Sequence, residues 1–438
     1  MEIILIALNT ISYMINGILG IITQFIIYIY IYYKDKKEYK NIIVTIIKLV
    51  IVSIPTSFIN IMGGEYGNLP ISWFNITVIL SSIYLVLLYS KNKYRNLGIN
   101  FFNLIIFIFI LFYFIALLIC DNKISGMSSF LTVCIPLLFI LLISIIKKLD
   151  IKYDELTKLY INVALGSAIG LMFQIVAYNV FGIQYGYIKY MSERIAFAGI
   201  FKDFSFYSVY LASTAQCIIM KFIINGSKNI KGLFGGIFLC LASILTSART
   251  GIMSIGVVFF IIIITTLFFG KFKNKIKALI CIPILVVTFT ISISILVNLR
   301  NDNQSIIGDS GRNGTYQSAM TIFKENTLFG IGIGIDNYQK YVQENLFGFD
   351  ATIPHNFIMQ SLAQLGLLGT ILLIVFILYI CIMALKIPNK EISYMFLVTL
   401  VSNFVLPDML NTRYIVIQIL LIIISYKNIG SVSFVYDR

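Results

Sequence analysis

The chain contains one histidine, and its position at the start of a long apolar stretch makes it a candidate for acid–base chemistry. His355 comes directly before Asn356, and the apolar run from Phe357 onward predicts a helix with Asn356 as its N-cap. The helix dipole disfavours imidazolium at this end, so we expect a neutral ring that can accept a proton. Gln360 and Gln364 follow at intervals of four, which predicts a polar stripe that faces protein or a wet cavity.

His355 also has a purely structural interpretation. Under it, the imidazole is a hydrogen-bonding residue at a membrane interface, and the polar stripe only joins neighbouring helices. The histidine alone does not decide between the two interpretations. The basic residues elsewhere in the chain favour chemistry.

The arginines are distributed differently from the lysines. Lysines cluster in some of the breaks between apolar runs, whereas most arginines occur in breaks that are poor in lysine. A planar guanidinium can bind two oxygens of one phosphate, whereas a lysine supplies only a point charge. The sequence therefore predicts an anion-binding face on the lysine-poor side. Five of the seven arginines belong to it: Arg194, Arg249, Arg300, Arg312 and Arg413.

Two of these arginines have informative neighbours in the sequence. Arg249 occurs in "SARTG", a very short turn between two apolar runs, so we expect its guanidinium near the level of a lipid phosphate. An ordinary interfacial anchor is the alternative for this residue. Arg194 lies in the loop after the sixth apolar run, and a salt bridge to Glu193 or Asp203 is the alternative to anion binding there.

The segment 309–338 combines a loop arginine with a glycine-rich stretch. Arg312 begins a predicted short amphipathic helix, and Tyr316 follows one turn later. The glycines of "GIGIG" resemble a phosphate loop only superficially, because no GK[ST] follows and no strand–helix unit surrounds them. We therefore predict that these glycines serve tight loop packing.

The segment "NFVLPDMLNTR" carries the last pair of charged candidates. Asp408 is expected either to orient or protonate a partner, or to form a salt bridge with Arg413. Both interpretations stay open at the level of the sequence.

The composition bounds the class of protein. Hydrophobic residues make up 59% of the chain, charged residues 12%, and the mean hydropathy is +0.93. These values predict an all-α polytopic membrane protein.

The first thirty residues lack a basic leader, so no cleavable signal peptide is expected. The six cysteines are scattered singly, and we expect no metal, cofactor or disulfide. The net charge of +14 is mostly lysine facing anionic lipid, so nucleic acid is not an expected partner.

About thirteen apolar runs are long enough to span a membrane, within a range of twelve to fourteen. The positive-inside rule assigns the lysine-rich breaks to the cytoplasm, which puts the N-terminus outside and the C-terminal tail inside. The whole chain, 1–438, is then a single integral membrane domain. One large external loop, 298–355, with short amphipathic helices, separates spans ten and eleven. The predicted spans are 3–33, 41–61, 69–90, 98–120, 127–147, 156–182, 203–225, 232–247, 251–270, 276–297, 356–386, 391–406 and 414–427.

In combination, these motifs resemble the O-antigen polymerase and ligase superfamily of bacterial membrane glycosyltransferases. The resemblance rests on "SART" at the head of a span, the Arg194 loop, and "GR…TLFGIGIGIDNY…PHNFIMQSLAQLGLLG", and it is strongest from about 185 to 375. It implies an oligosaccharide linked through a diphosphate to a polyprenyl lipid such as undecaprenyl diphosphate. That substrate is assembled inside, flipped, and joined at the outer face of the cytoplasmic membrane. A flippase and a chain-length regulator of the same pathway are implied partners, together with membrane lipid.

The resemblance also implies roles for individual residues. His355 would accept the proton of the attacking hydroxyl, and Arg194 and Arg249 would bind the diphosphate in an inverting, metal-independent transfer. We expect these three catalytic side chains to converge on one outer site.

Substrate binding is implied for Arg312, Tyr316, Asn356, Asp408 and Arg413. Asp408 matches an acidic residue of the ligase branch, whereas Tyr316 departs from the family, which often has tryptophan there. Tyrosines near these segments could also offer faces to sugar rings or form an aromatic belt. They are Tyr185, Tyr187, Tyr190, Tyr338 and Tyr341.

Within the family, the sequence favours a polymerase that extends lipid-linked repeat units of a capsule or exopolysaccharide. A ligase that transfers glycan to lipid A core or another acceptor is the alternative. A flippase of lipid-linked oligosaccharide is the alternative from another class. A transporter should show related halves with interrupted helices, and the sequence indicates neither. A non-catalytic chain-length regulator would need a coiled-coil external domain, which the sequence does not indicate.

Overall fold

The prediction of an all-α polytopic membrane protein is confirmed by the computed structural model. Fifteen α-helices and one antiparallel hairpin, β1 (Tyr187–Met191) and β2 (Arg194–Gly199), form the described part of the chain. The structure describes residues 1–38, 40–61, 71–91, 98, 100–146, 151–191, 194–224, 230–270, scattered positions from 275 to 294, and 312–433.

The chain divides into two compact units. The first unit comprises Met1–Phe58, Lys152–Asn303 and Asn389–Ser402, and the second comprises Ile59–Ile151, Gln304–Pro388 and Asn403–Arg438. Helices of the first unit are α1 (Glu2–Ile15), α2 (Gly17–Lys37), α3 (Ile42–Val52), α7 (Tyr153–Phe181), α8 (Phe204–Ile224), α9 (Ile230–Leu245), α10 (Arg249–Phe269) and most of α14 (Lys390–Asn403). Helices of the second unit are α4 (Trp73–Ser90), α5 (Phe101–Ile119), α6 (Lys123–Ile145), α11 (Arg312–Glu325), α12 (Ile335–Asn345), α13 (Phe357–Lys386) and α15 (Arg413–Ser433).

Eight of the described helices are long and apolar enough to cross a bilayer: α2, α4, α5, α6, α7, α8, α10 and α13. Three apolar helices are shorter, and α3 covers only part of the predicted span 41–61. The predicted span 276–297 and the start of the predicted external loop fall largely outside the described residues. The total of thirteen spans therefore stays a prediction.

Helices α1 and α2 form an antiparallel hairpin that turns at Asn16, whose side chain caps α2 by accepting backbone N–H groups. At the open end, Lys34 Nζ lies 2.8 Å from Glu2 Oε1. Midway along the hairpin, the buried Asn9 amide donates to Gln24 Oε1 at 2.6 Å. The run 3–33, counted as one span in the sequence but long for a single crossing, therefore forms two helices. The N-terminus lies at the same end as the first lysine-rich break, and not opposite it as predicted.

Close packing of α1 on α7 depends on two glycines one helical turn apart. A Cβ added at Gly166 would lie 2.7 Å from Ile6 Cβ, and one at Gly170 would lie 2.5 Å from Thr10 Cγ2. Small residues at this spacing let two helix backbones approach closely within a membrane. The sequence "GSAIG" in α7 thus positions the N-terminal hairpin.

A buried ion-pair network fixes the lysine-rich end of the first unit. Asp35 is 1% exposed, and Lys48 Nζ lies 2.5 Å from its carboxylate. Lys48 and Lys40 both contact Glu155, and Lys40 also contacts Glu38 at 2.7 Å. The ligand oxygens of the three carboxylates lie within 4.8 Å of one another, a spacing that would suit a metal ion. Because the two lysines bind these carboxylates, ion pairing accounts for the cluster.

Helix α13 is interrupted at Gly366, which has φ 64° and ψ −165°. The interruption releases backbone groups, which bind the neighbouring turn segment 327–332. Leu367 N donates to Thr327 O at 2.8 Å, and Gly332 N donates to Gln364 O at 3.0 Å. A bilayer tolerates such a break only where the released groups find partners. The sequence shows no convincing sign of an interrupted helix, yet α13 contains one.

Candidate active site

Arg249 opens α10, directly after the short turn that follows α9. The turn is locked by Ser247 in the left-handed region, with φ 65°, and by a 3.0 Å hydrogen bond between the hydroxyls of Thr250 and Ser208. Arg249 Nε is buried and has no hydrogen-bond partner among the residues that the structure describes. A buried N–H without a hydrogen-bond partner lowers the stability of the folded protein by about 1–3 kcal/mol. A bound anion that accepts this hydrogen bond would remove that cost. The arrangement suits recognition of an anion.

The β1–β2 hairpin is anchored to the first unit by the buried Gln174 of α7. Its amide nitrogen donates to Tyr185 O at 2.6 Å, and its amide oxygen accepts from Gly199 N at 2.9 Å. One side chain therefore holds both ends of the hairpin. A polar residue buried in an apolar helix is stable here because both ends of its amide are bonded.

Strand β2 also connects to the turn that carries Arg249. Phe197 N donates to Thr246 O at 3.2 Å. Arg194 begins β2, opposite Met191 in the register, and its side chain lies outside the described residues. Three residues of extended strand, about 10 Å, separate Arg194 from the contact at Phe197. The loop that carries Arg194 and the turn that carries Arg249 are thus bonded together.

Asp203, the predicted alternative partner of Arg194, caps helix α8. Its Oδ1 accepts from Ser205 N at 2.7 Å and from Phe206 N at 2.9 Å. Helix capping therefore explains this carboxylate locally. A salt bridge to Arg194 stays a prediction.

His355 is exposed at the N-terminus of α13, whereas Phe357 immediately after it is buried. The prediction that Asn356 caps this helix is confirmed, because its side-chain oxygen accepts from Ile358 N at 2.9 Å and from Met359 N at 3.2 Å. The cap fixes where the helix begins and therefore where the imidazole is presented. His355 therefore lies at the positive end of the helix dipole.

Tyr316 contacts the histidine directly. Its hydroxyl donates to the His355 carbonyl at 3.2 Å. Arg312, half-buried, begins the same helix α11 one turn earlier. Helix α11 is tied to the segment before His355 by Ser318, whose hydroxyl donates to Asp350 O at 2.8 Å. The structure thus brings Tyr316 to His355.

The polar stripe of α13 faces protein, as one of the two sequence interpretations predicted. Gln360 and Gln364 are 3% and 5% exposed. Gln360 donates to the Asp408 carboxylate and accepts from Asp408 N at 2.7 Å. Gln364 donates to Gly334 O at 3.1 Å. The stripe therefore joins α13 to two separate segments of the second unit.

Asp408 lies in the left-handed region, with φ 49°, just before a short 3₁₀ helix. A cavity of about 30 Å³ lies beside it, lined also by Gln360, Ser361 and Tyr113. This volume suffices for a water molecule. Arg413 begins α15 and is 4% exposed. Pairing between Asp408 and Arg413 stays a prediction.

The prediction that the glycines of 330–334 serve tight packing is confirmed. All three have positive φ, and a Cβ at Gly332 would lie 2.6 Å from the Cys120 backbone. Asn337 joins this stretch to the turn after α5, because its amide nitrogen donates to Ile331 O at 2.9 Å and its side-chain oxygen accepts from Asp121 N at 3.0 Å.

The tyrosines that could offer faces to sugar rings differ in how far their side chains are exposed. Tyr338 is fully buried, so it cannot offer a face to a ligand, and the expectation is wrong for this residue. Tyr187 and Tyr190 of the hairpin are 41% and 52% exposed. Exposed aromatic faces of this kind suit either a sugar ring or a membrane interface.

The candidate residues belong to both units. Arg194 and Arg249 belong to the first unit, and His355, Arg312 and Asp408 belong to the second. The expected convergence of the arginines with the histidine stays a prediction.

Residues 234–374 match the family model described as O-Antigen ligase. The match covers about a third of the chain and includes Arg249, Arg312, Tyr316 and His355, whereas Arg194 and the residues after 374 lie outside it. The search of curated proteins and the search of solved structures both return no match. The chain is a multi-pass membrane protein, and its segment 234–374 is similar to the O-Antigen ligase family, in agreement with the resemblance that its motifs carry.

Three residues that matter for the site were missed or misjudged from the sequence. Gly366 was not recognised as a helix break, although the two glycines of "QLGLLG" in an apolar run were a signal. Asn337, 4% exposed, carried no signal because its partners are distant in the chain. Gln360 was recognised, but its bond to Asp408 was not.

Proposed function

We propose that this chain is a polysaccharide polymerase. It transfers a glycan chain from a polyprenyl diphosphate donor to a lipid-linked repeat unit at the outer face of the cytoplasmic membrane. The observation that carries the proposal is the exposed imidazole of His355, held at a capped helix N-terminus inside the family-matched segment. A flippase supplies the lipid-linked units, and a chain-length regulator acts on the product.

In the proposed step, His355 accepts the proton of the attacking sugar hydroxyl. The hydroxyl oxygen forms a new bond to the anomeric carbon while the bond from that carbon to the diphosphate oxygen breaks. The lipid diphosphate leaves with the bonding electron pair, and the anomeric configuration inverts. General-base assistance of this kind contributes about 10²–10⁴ in rate.

Arg249 and Arg194 stabilise the charge that develops on the diphosphate. The buried, unpartnered Nε of Arg249 within the described part of the chain supports this role. Each charge-assisted hydrogen bond contributes about 1.5–3 kcal/mol of binding free energy. It accelerates the reaction to the extent that it binds the diphosphate more strongly in the transition state than in the ground state. Arg312 and Tyr316 support the loop or the sugar beside His355.

A transporter is the competing function, and the interrupted helix α13 is the observation that favours it. In transporters, the unwound backbone of such a helix binds the ion or substrate. Here the carbonyls of Ala363 and Gln364 accept hydrogen bonds from the segment 327–334. Because these acceptors already have partners within the protein, catalysis is the better proposal.

The test is extension of purified lipid-linked repeat units by the purified protein in nanodiscs. We expect His355→Ala to lower the rate by about 10² or more. Thr352→Ala, an exposed change in the same loop, is the matched control and should leave the rate unchanged. Wild-type rates for His355→Ala, with equal amounts of folded protein, would overturn the proposed base.

The arginine role is tested separately. We expect Arg249→Ala to abolish most of the transfer, and Arg249→Lys to restore only part of it because lysine cannot bind two oxygens at once. Full activity of Arg249→Ala would contradict diphosphate binding. Offering lipid A core as the acceptor instead of a lipid-linked repeat distinguishes a ligase from a polymerase.

A further inference from the structure

The second unit contains a cavity of about 360 Å³ far from His355. It lies at the opposite end of α13, near Lys386, the last residue of that helix. The helical stretch from the break at Gly366 to Lys386 is twenty residues, about 30 Å, so this cavity lies far from the proposed active site at the start of α13. The lysine-rich breaks assign this end to the cytoplasmic face.

Two lysines supply the charge of the cavity. Lys386 is exposed and has no hydrogen-bond partner within the described ranges. Lys427 is fixed by the carbonyl end of α6, because its ammonium donates to Ile143 O at 3.3 Å, to Ser144 O at 2.5 Å and to Ile146 O. In the described part of the chain, the lining contains no carboxylate. A molecule in the cavity is therefore exposed to the fixed positive charge of Lys427 and to the available positive charge of Lys386.

The lining changes from polar to apolar with depth. Lys386 ends α13, and Lys427 lies in the last third of α15. Met383 and Ile423, about one turn before these lysines, also line the cavity and are buried. Phe102 of α5 also lines it and stacks on Tyr379, with ring centroids 5.4 Å apart. A molecule that fits this gradient has an anionic head and an apolar tail.

We propose that this cavity binds an anionic glycerophospholipid of the inner leaflet. The lipid phosphate contacts Lys386 and the side chain of Asn100, which caps α5 on the same lining. Lys427, whose three N–H groups are bonded to carbonyls, contributes charge without contacting the lipid. The upper acyl carbons lie against Phe102 and Ile423. Basic cavities between helices at the cytoplasmic side are suited to anionic head groups, and the volume fits a small polar head with its first carbons.

The experiment uses the full chain, delipidated in detergent, and measures retained lipid by native mass spectrometry and thermal unfolding. Three probes are added separately: dioleoyl phosphatidylglycerol, dioleoyl phosphatidylcholine and inorganic phosphate. We expect phosphatidylglycerol to bind and to raise Tm more than phosphatidylcholine of the same chain length. Inorganic phosphate alone should have no effect, because the apolar part of the cavity would stay empty.

The variant Lys386→Gln should weaken phosphatidylglycerol binding about fivefold, the effect of one lysine near a membrane surface. Lys91→Gln removes another exposed lysine of the same unit at the end of α4, outside the cavity lining, and should leave binding unchanged. Equal binding of both phospholipids, equal effects of the two variants, or full protection by inorganic phosphate would each overturn the proposal. Lys386 is exposed, so its replacement is not expected to disturb folding.

Discussion

Gln360 binds Asp408 through both ends of its amide. The side-chain nitrogen donates to the Asp408 carboxylate, and the side-chain oxygen accepts from the Asp408 backbone N–H at 2.7 Å. The pair joins the first turns of α13, which present His355, to the turn before α15. Both partners are thereby satisfied in an apolar environment where an unpaired amide or carboxylate would be costly.

Replacing Gln360 by Leu should destabilise the protein by about 1–3 kcal/mol, because the Asp408 carboxylate loses its amide donor and its backbone N–H loses its acceptor. Thermal unfolding in detergent measures the loss, and transfer activity should fall with it. Thr132→Val is the control, since among the described residues that buried hydroxyl donates to the carbonyl of Ser128 in its own helix. An unchanged Tm for the Gln360 variant would show that the amide pair does not stabilise the unit.

Tyr316→Phe should lower transfer without unfolding the protein. The substitution removes one hydrogen bond to the His355 carbonyl, worth about 0.5–1.5 kcal/mol, so the rate should fall by up to about tenfold. Tyr341→Phe removes a hydroxyl of the same loop that binds Asn326 and Glu325 instead, and serves as the control. Equal rates for the two variants would mean that the Tyr316 contact does not position His355.

Gly366→Ala should prevent stable folding. The residue has φ 64° and ψ −165°, a conformation essentially restricted to glycine, and an added Cβ would lie 2.5 Å from the Leu328 backbone. The expected readout is loss of the monodisperse peak in size-exclusion chromatography. Gly256→Ala, where a Cβ meets open space, should be neutral or slightly stabilising. Recovery of both variants in equal yield would contradict the close approach at the break.

Lys48→Met should destabilise the protein by about 3–5 kcal/mol, because it leaves Asp35 buried without its ammonium partner. Lys340→Met removes an exposed lysine that pairs with Glu344, and its cost should be at most about 1 kcal/mol. Thermal unfolding of the two variants under the same conditions gives the comparison. Similar losses for both would mean that burial of the network has no energetic consequence.

The α1–α2 hairpin predicts that both of its ends lie on one side of the membrane. A cysteine placed before Met1 and one at Lys37 should react with a membrane-impermeant maleimide from the cytoplasmic side, and one at Thr352 from the outer side. Labelling of the wild-type protein gives the background from native thiols. If the cysteines at Met1 and Lys37 were labelled from opposite sides of the membrane, residues 3–33 would cross it once and the hairpin would be contradicted.

Several features of the fold and site could be predicted from the sequence because their causes are local. Hydropathy and the low charge content predicted a polytopic helical protein. Asn356 could be recognised as a cap because capping involves residues only two or three positions away. The absence of a phosphate-loop context around the glycines of 330–334 correctly indicated packing.

Other features depended on which segments meet. Asn16 turns the chain inside an apolar run, and the hydropathy of that run is the same whether it crosses once or folds back. The break at Gly366 is stable only because the segment around Thr327 binds the released backbone groups. Tyr338 was a plausible sugar platform in sequence, yet tertiary packing buries it completely.

The sequence by itself determined the membrane environment, the candidate residues and the similarity of the segment 234–374 to the O-Antigen ligase family. Tertiary structure decided that Tyr316 contacts His355 and that Gln360 holds Asp408, which are separated by 39 and 48 residues along the chain. Hydrogen bonds at such separations depend on which helix faces are brought together. Which helix faces meet is determined by the packing of whole helices and not by the helix propensity of the local sequence.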